Sequence, residues 1–348
     1  MDLPGGPISP VELVARARYL GLFVAARVPL SPWLSLEAGL RRNDAWVRLD
    51  DRRGEALDGR HRFRRLNPGA EVDWEVAEGV TMRAGWHRTN RVPAPAELGC
   101  ADPDAPCSLA NFFIADPPLE QEVTESAEAG VALARAGWRL SVAAFRATSQ
   151  DDIQLVASGV RGRGYFKNVG RTRRQGAEVT AEVSLARWLQ ARLGYALTDA
   201  TFRTGFALPS PNHPAAEADG SVTVAPGDRL ANVPRHRGVM TVEATHGGVG
   251  LGLDLSAQSG MRYQGDEIGA LETTGRYARL DLRAAWTVNP AFELFAEVRN
   301  LTNTRASTFG ILGEVGDVEL DEAPGASDPR FAGPLAPRRW RLGARVRF

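Results

Sequence analysis

Two cysteines, Cys100 and Cys107, stand in one polar, Pro- and Asp-containing run, Glu97-Leu98-Gly99-Cys100-Ala101-Asp102-Pro103-Asp104-Ala105-Pro106-Cys107. In an oxidising compartment that spacing suits a small loop disulfide. As metal ligands the two thiolates are poorly arranged, because the run has no C-x-x-C, no second pair and no histidine. His61, His87, His213, His236 and His246 are scattered without ligand spacing. Asp151 with Asp152, Glu217 with Asp219, and Glu319 with Asp321 and Glu322 have the oxygen chemistry of hard-cation ligands, yet in polar loops they read as solubilising charges. Ser141, Ser256 and Ser259 have no apparent His–Asp partner, and no G-x-S-x-G elbow occurs. The sequence therefore predicts neither an enzyme nor a bound cofactor. A last group, Trp86, His87, Arg88, Arg91, Phe112 and Phe113, gathers near one strand end and its loop, where it could touch a ligand or simply anchor and pack that loop.

The elements that carry these residues have a period of two. From Trp340 to Phe348 the even positions Trp340, Leu342, Ala344, Val346 and Phe348 are apolar, and Arg341, Gly343, Arg345 and Arg347 fall between them. Some nine residues also match a tilted strand that crosses a bilayer. Ala70, Val72, Trp74 and Val76 alternate with Glu71, Asp73 and Glu75; after Ala77-Glu78-Gly79, Val80, Met82, Ala84 and Trp86 alternate with Thr81, Arg83, Gly85 and His87. Acids on one strand face Arg83 on the next, which suits a watery side. Leu34–Leu40 alternates in the same way, with a weaker partner near Tyr19–Val28.

Further strands are predicted at about Thr124–Ala134, Trp138–Thr148, Tyr165–Leu185, Leu189–Phe202, His236–Thr245, Val249–Arg262, Tyr277–Val288 and Ala291–Leu301. That makes about thirteen strands and no convincing helix. Links at Ala77–Gly79, Ala136–Gly137, Ala186–Trp188, His246–Gly248 and Asn289–Pro290 are short. Those at Asp50–Arg65, Arg91–Val123, Arg203–Arg235 and Asn303–Arg338 are long and polar. Short turns at one end and long loops at the other are the layout of an antiparallel transmembrane β-barrel, with periplasmic turns and extracellular loops.

Composition agrees. The chain has 348 residues, 43% of them hydrophobic, and zero formal net charge, with Lys167 its single lysine. Its mean hydropathy is negative. No apolar run is long enough for a transmembrane helix, and nothing suggests a nucleic-acid partner. Met1–Pro10 shows neither the basic nor the apolar region of a signal peptide.

Several stretches resemble the C-terminal part of the TonB-dependent outer-membrane receptors. Arg91-Val92-Pro93-Ala94-Pro95-Ala96-Glu97-Leu98 is similar to their R-x-P-x-x-x-E-L run. Gly164-Tyr165-Phe166-Lys167-Asn168-Val169-Gly170, continuing through Arg173 to Gly176-Ala177-Glu178, resembles their N-x-G-x-x-R-x-x-G-x-E strand entry. Leu230-Ala231-Asn232-Val233-Pro234 with His236, and Val298-Arg299-Asn300-Leu301-Thr302-Asn303, resemble "L-x-N-x-P-x-H" and "V-x-N-L-x-N". Phe348 is like the aromatic C-terminal signal read by the barrel assembly machinery.

The resemblance implies an outer-membrane location against lipid and a 22-stranded barrel with a plugged lumen. It also implies TonB-driven import of a scarce ligand such as a ferric siderophore. On this expectation residues 1–348 are a C-terminal barrel portion, about thirteen of those strands, without plug, TonB box or signal peptide. The alternatives are a smaller pore of about fourteen strands and, less favoured, an outer-membrane enzyme.

Overall fold

A computed structural model describes residues 12–55, 57–100, 107–108, 119–157, 163–315, 325 and 327–347. Thirteen antiparallel strands form one sheet. In sheet order they are Leu13–Ser31, Leu34–Asp51, Gly59–Ala77, Val80–Arg91, Glu122–Arg135, Trp138–Gln150, Thr172–Ala186, Leu189–Phe202, His236–His246, Val249–Gln258, Tyr277–Asn289, Phe292–Arg299 and Arg339–Val346. Every strand pairs with its predecessor in this order, so the sheet is a pure meander. It does not close: Leu13–Ser31 and Arg339–Val346 are its two edges. No helix among the described residues is long and apolar enough to cross a membrane.

The register sorts the side chains onto two faces. Leu282 lies opposite Leu253 and Val298, Ala296 opposite Ala284 and Leu342, and Met240 opposite Leu193 and Leu255. These rows form one apolar face. Trp74, Trp138 and Trp286 share this parity near the short turns, as an aromatic girdle would. The intervening residues make the other face polar.

The packed apolar cores lie at the long-loop end rather than inside the sheet. Ala45, Val47, Leu49 and Phe63 pack with Leu98, Leu119 and Ile153. A second cluster joins Val156, Tyr165 and Phe202 to Leu208, Val222, Val224 and Leu230. Small strand pairs stiffen this layer: Phe206–Pro209 with Ser221–Val224, Ser307–Leu312 with Arg330–Pro334, and Arg163–Asn168 between Cys107–Ser108 and Ile153–Ala157.

Three sequence expectations need correction. The link expected at Asp50–Arg65 is mostly strand, because Leu34–Asp51 and Gly59–Ala77 continue as a long hairpin. Above Leu40 the alternation inverts: Ala45, Val47 and Leu49 turn apolar on the formerly polar face as loops cover it, while Arg42, Asp44 and Arg48 occupy the other. The single strand expected at Tyr165–Leu185 is two, Arg163–Asn168 and Thr172–Ala186. Gly170, at φ 79°, turns the chain between them in a region that other residues avoid. A four-residue helix, Pro95–Leu98, also forms. Its Glu97 carboxylate accepts the Ala94 N–H at 2.7 Å and holds the Arg91 guanidinium at 2.8 Å.

Candidate functional site

The polar face is a ladder of cross-strand ion pairs. Arg139 reaches Glu182 at 3.4 Å, and Arg192 stands between Glu182 at 3.8 Å and Glu243 at 3.2 Å. Arg283 then bridges Glu243 at 3.5 Å and Asp254 at 2.8 Å. Six neighbouring strands are stitched this way. The pattern follows from register: Glu182 lies opposite both Arg139 and Arg192, and Asp254 opposite Thr241, whose hydroxyl donates to it at 2.8 Å. Toward the sheet's last strand, Arg345 pairs with Glu293 at 2.6 Å. A concavity of about 580 Å³ opens there, walled by Glu243, Arg283, Glu293, Glu297, Arg341 and Arg345.

Glycines on this face make room for long neighbours. A Cβ on Gly343 would lie 2.3 Å from the Phe295 ring, and one on Gly252 3.0 Å from the Arg283 guanidinium. The face is therefore lined by charge and a few aromatic rings, a surface that water or a polar solute can wet.

A second groove, of about 590 Å³, crosses the first four strands and includes Phe23, Glu37, Arg41, Asn43, Asn67 and His87. Asn43 and Asn67 both donate to the Asn90 amide oxygen, at 2.9 and 2.7 Å, and Asn90 donates to Gln121 at 3.0 Å. The Asn67 Oδ1 is buried without a hydrogen-bond partner among the described residues. Such an atom favours a ligand that can donate to it. Sequence reasoning missed this network, although asparagines inside strands, where they are depleted, were its available signal.

Of the six aromatic and basic candidates, the four described ones, Trp86, His87, Arg88 and Arg91, divide between the two faces of the sheet. Trp86 is opposite Ala70 and Ala127 on the apolar face, whereas His87, next in the chain, is opposite Gly69 and Ser126 on the polar one. Arg88 is held by Glu125 at 2.6 Å, and Arg91 by Glu97 and Glu122 at 2.8 and 3.1 Å. Phe112, Phe113 and Phe348 lie outside the described residues, as do Glu319, Asp321 and Glu322. Cys100 is buried, with its Sγ 3.6 Å from the carbonyl oxygen of Gly164, the residue whose backbone pairs with Cys107. The side chain of Cys107 lies outside the described residues.

Two groups read as solvated or scattered are instead structural. Asp152 is buried and accepts the Thr172 hydroxyl, with Arg174 at 3.4 Å. His213 is buried against Asp266, Nε2 to Oδ1 3.0 Å, while its Nδ1 accepts the Ala215 N–H at 2.9 Å. That second bond leaves Nε2 as the protonated nitrogen, which donates to Asp266. The Asp266 carboxylate also accepts the Ala270 and Leu271 N–H groups at 2.8 and 3.1 Å. Beside it Glu267, whose oxygens accept the Gly265 N–H, is pushed up to about 7 by burial, with Asp266 adding to the effect. This cluster ties two long loops together. No group of three or more metal-ligating side chains occurs among the described residues.

Residues 4–301 match the model of a family described as TonB dependent receptor-like, beta-barrel. Among solved structures, the ferric-catecholate import receptor Fiu from E. coli K12 in its closed form is similar at TM-score 0.68 and 16% identity, over 97% of this chain and 45% of that one. The siderophore receptor PiuA from Acinetobacter baumannii aligns at TM-score 0.70 and 14% identity, over 96% and 44%. The copper transporter OprC aligns at TM-score 0.69 and 17% identity, over 96% and 48%. The chain spans under half the length of these structures, and at such identities the likeness speaks for the fold.

Proposed function

Because the chain belongs to the TonB dependent receptor-like β-barrel family, we propose that its thirteen strands are part of the wall of an outer-membrane receptor for active uptake of a scarce ligand, such as a ferric siderophore. The observation that carries this reading is the two-faced sheet. One face is continuous aliphatic surface with a tryptophan girdle, suited to lipid. The other is a ladder of ion pairs with two polar grooves, suited to a solute path. In this reading the long loops are extracellular and the short turns periplasmic. Further strands cover the two free edges, since unpaired strand edges do not face lipid. Those edges favour this account over a self-closing pore of about fourteen strands. The protein works as a transporter rather than an enzyme, coupled to the TonB complex through a plug.

Of the sequence candidates, His87 is carried forward as a ligand contact, joined by Asn43 and Asn67 in the same groove. Cys100 and Cys107 form a loop disulfide beside Gly164, and Phe348 serves as the signal to the barrel assembly machinery. The test uses cells stripped of their own ferric-siderophore receptors and supplied with the protein. Uptake of a radio-iron catecholate should be saturable and stop when a protonophore collapses the proton gradient. Non-saturable entry that ignores the protonophore would indicate a pore instead.

A further inference from the structure

On strand after strand, the apolar face ends toward the long loops in an arginine. Counting along that face, Arg18 follows Leu22 and Leu20, Arg42 follows Leu36, Ala38 and Leu40, Arg64 follows Pro68 and Leu66, Arg88 follows Trp86, and Arg146 follows Val142 and Ala144.

Above this rim on the first three strands the register stacks like charges. Arg16, Arg48 and Arg60 lie directly opposite one another in one row, and Arg18, Trp46 and Arg62 in the next. Like charges opposite each other across strands are destabilising, so this arrangement is unfavourable unless an anion sits on it. The described residues supply too few anions. Asp44 is occupied by Arg42 at 2.8 Å and Arg64 at 3.3 Å, and Asp50 by Arg48 at 2.6 Å. Arg16, Arg18, Arg60 and Arg62 have no carboxylate within 4.0 Å among the described residues, and all four are exposed. The Arg62 guanidinium rests 5.3 Å over the Trp46 ring, which fixes its plane while leaving its donors free.

We propose that this patch binds the phosphate groups of lipid headgroups in the leaflet on the long-loop side. Guanidinium forks match phosphate oxygens bidentately. The patch adjoins the apolar face rather than either polar groove, so the anion that reaches it is attached to lipid rather than to a transported solute. The inference rests on the membrane orientation proposed above and names the headgroup chemistry that the wall selects.

The test measures lipid retained by the detergent-solubilised chain with native mass spectrometry, using bis-phosphorylated lipid A and the same lipid after phosphate removal. The wild type should retain the phosphorylated lipid at least about tenfold better. The combined Arg16→Gln, Arg18→Gln, Arg60→Gln and Arg62→Gln variant should fall to the dephosphorylated level, while the matching Arg→Lys variant keeps an intermediate preference. Retention by the wild type that ignores the phosphates overturns the proposal. So does undiminished retention by a Gln variant whose circular dichroism matches the wild type. No transported ligand enters the assay, so its failure leaves the uptake reading to be judged by the radio-iron experiment.

Discussion

Leu253 and Asp254 are neighbours in the chain and face opposite sides of the sheet. Leu253 lies opposite Val242 and Leu282 on the apolar face, whereas Asp254 accepts from Arg283 at 2.8 Å on the polar one. Adjacent substitutions should therefore differ sharply. Leu253→Arg places a charge against lipid and should cost roughly 2–4 kcal/mol. Asp254→Asn removes a half-exposed ion pair and should cost under about 1 kcal/mol. Urea unfolding of the lipid-reconstituted protein separates the two.

The glycine at 343 should be intolerant of bulk. A side chain there meets the Phe295 ring, so Gly343→Leu should destabilise by about 1–3 kcal/mol. Phe295→Ala combined with it should recover part of that loss. Additivity of the two changes in a thermal-unfolding cycle would contradict the contact.

Loop stability should fall as pH rises. Glu267 is raised from its ordinary 4.5 to about 7, so between those values the folded state binds more protons than the unfolded one. By linkage, stability is greatest below about 4.5 and is lost as pH climbs through about 7, by up to roughly 3 kcal/mol. Arg262 and Asp266 are the charges that act on it. Protection of the amides of residues 259–276, after dividing out the intrinsic pH dependence of amide exchange, should fall from pH 5 to pH 8, and Glu267→Gln should flatten that trend.

The His213–Asp266 pair should act as the clasp between loops 203–235 and 259–276. Both side chains are fully buried, and His213→Ala removes one of the donors to the Asp266 carboxylate while leaving the Ala270 and Leu271 N–H groups in place. A loss of roughly 1.5–3 kcal/mol, read as faster exchange in both loops at once, is expected.

Much of this was legible in the sequence, because period-two alternation survives wherever one face meets an apolar surface and the other a polar one. Leu34–Leu40, Ala70–Trp86 and Leu280–Val298 satisfy that condition and appear where they were expected. The pattern failed where it inverts. Above Leu40 the inner positions Ala45, Val47 and Leu49 become apolar under the loops and the outer ones charged, so a strand looked like a polar link. Between Tyr165 and Leu185 no proline marks a break, and the turn rests on Gly170 alone, whose positive φ the sequence does not announce. At the site, ion pairs such as Arg83–Asp73 could be read from one hairpin. The Asn43–Asn90–Asn67 network and the His213–Asp266 clasp join residues 47, 23 and 53 positions apart, which no local spacing encodes.

The central claim is that one face of this sheet meets lipid and the other an aqueous lumen. Spin labels attached through Leu253→Cys, Asp254→Cys, Leu255→Cys and Ser256→Cys, in a Cys100→Ser, Cys107→Ser background reconstituted in liposomes, test it directly. The labels at 253 and 255 should relax with oxygen, which concentrates in lipid, and those at 254 and 256 with a water-soluble nickel chelate. Equal accessibility along the strand, or the opposite alternation, would contradict the account.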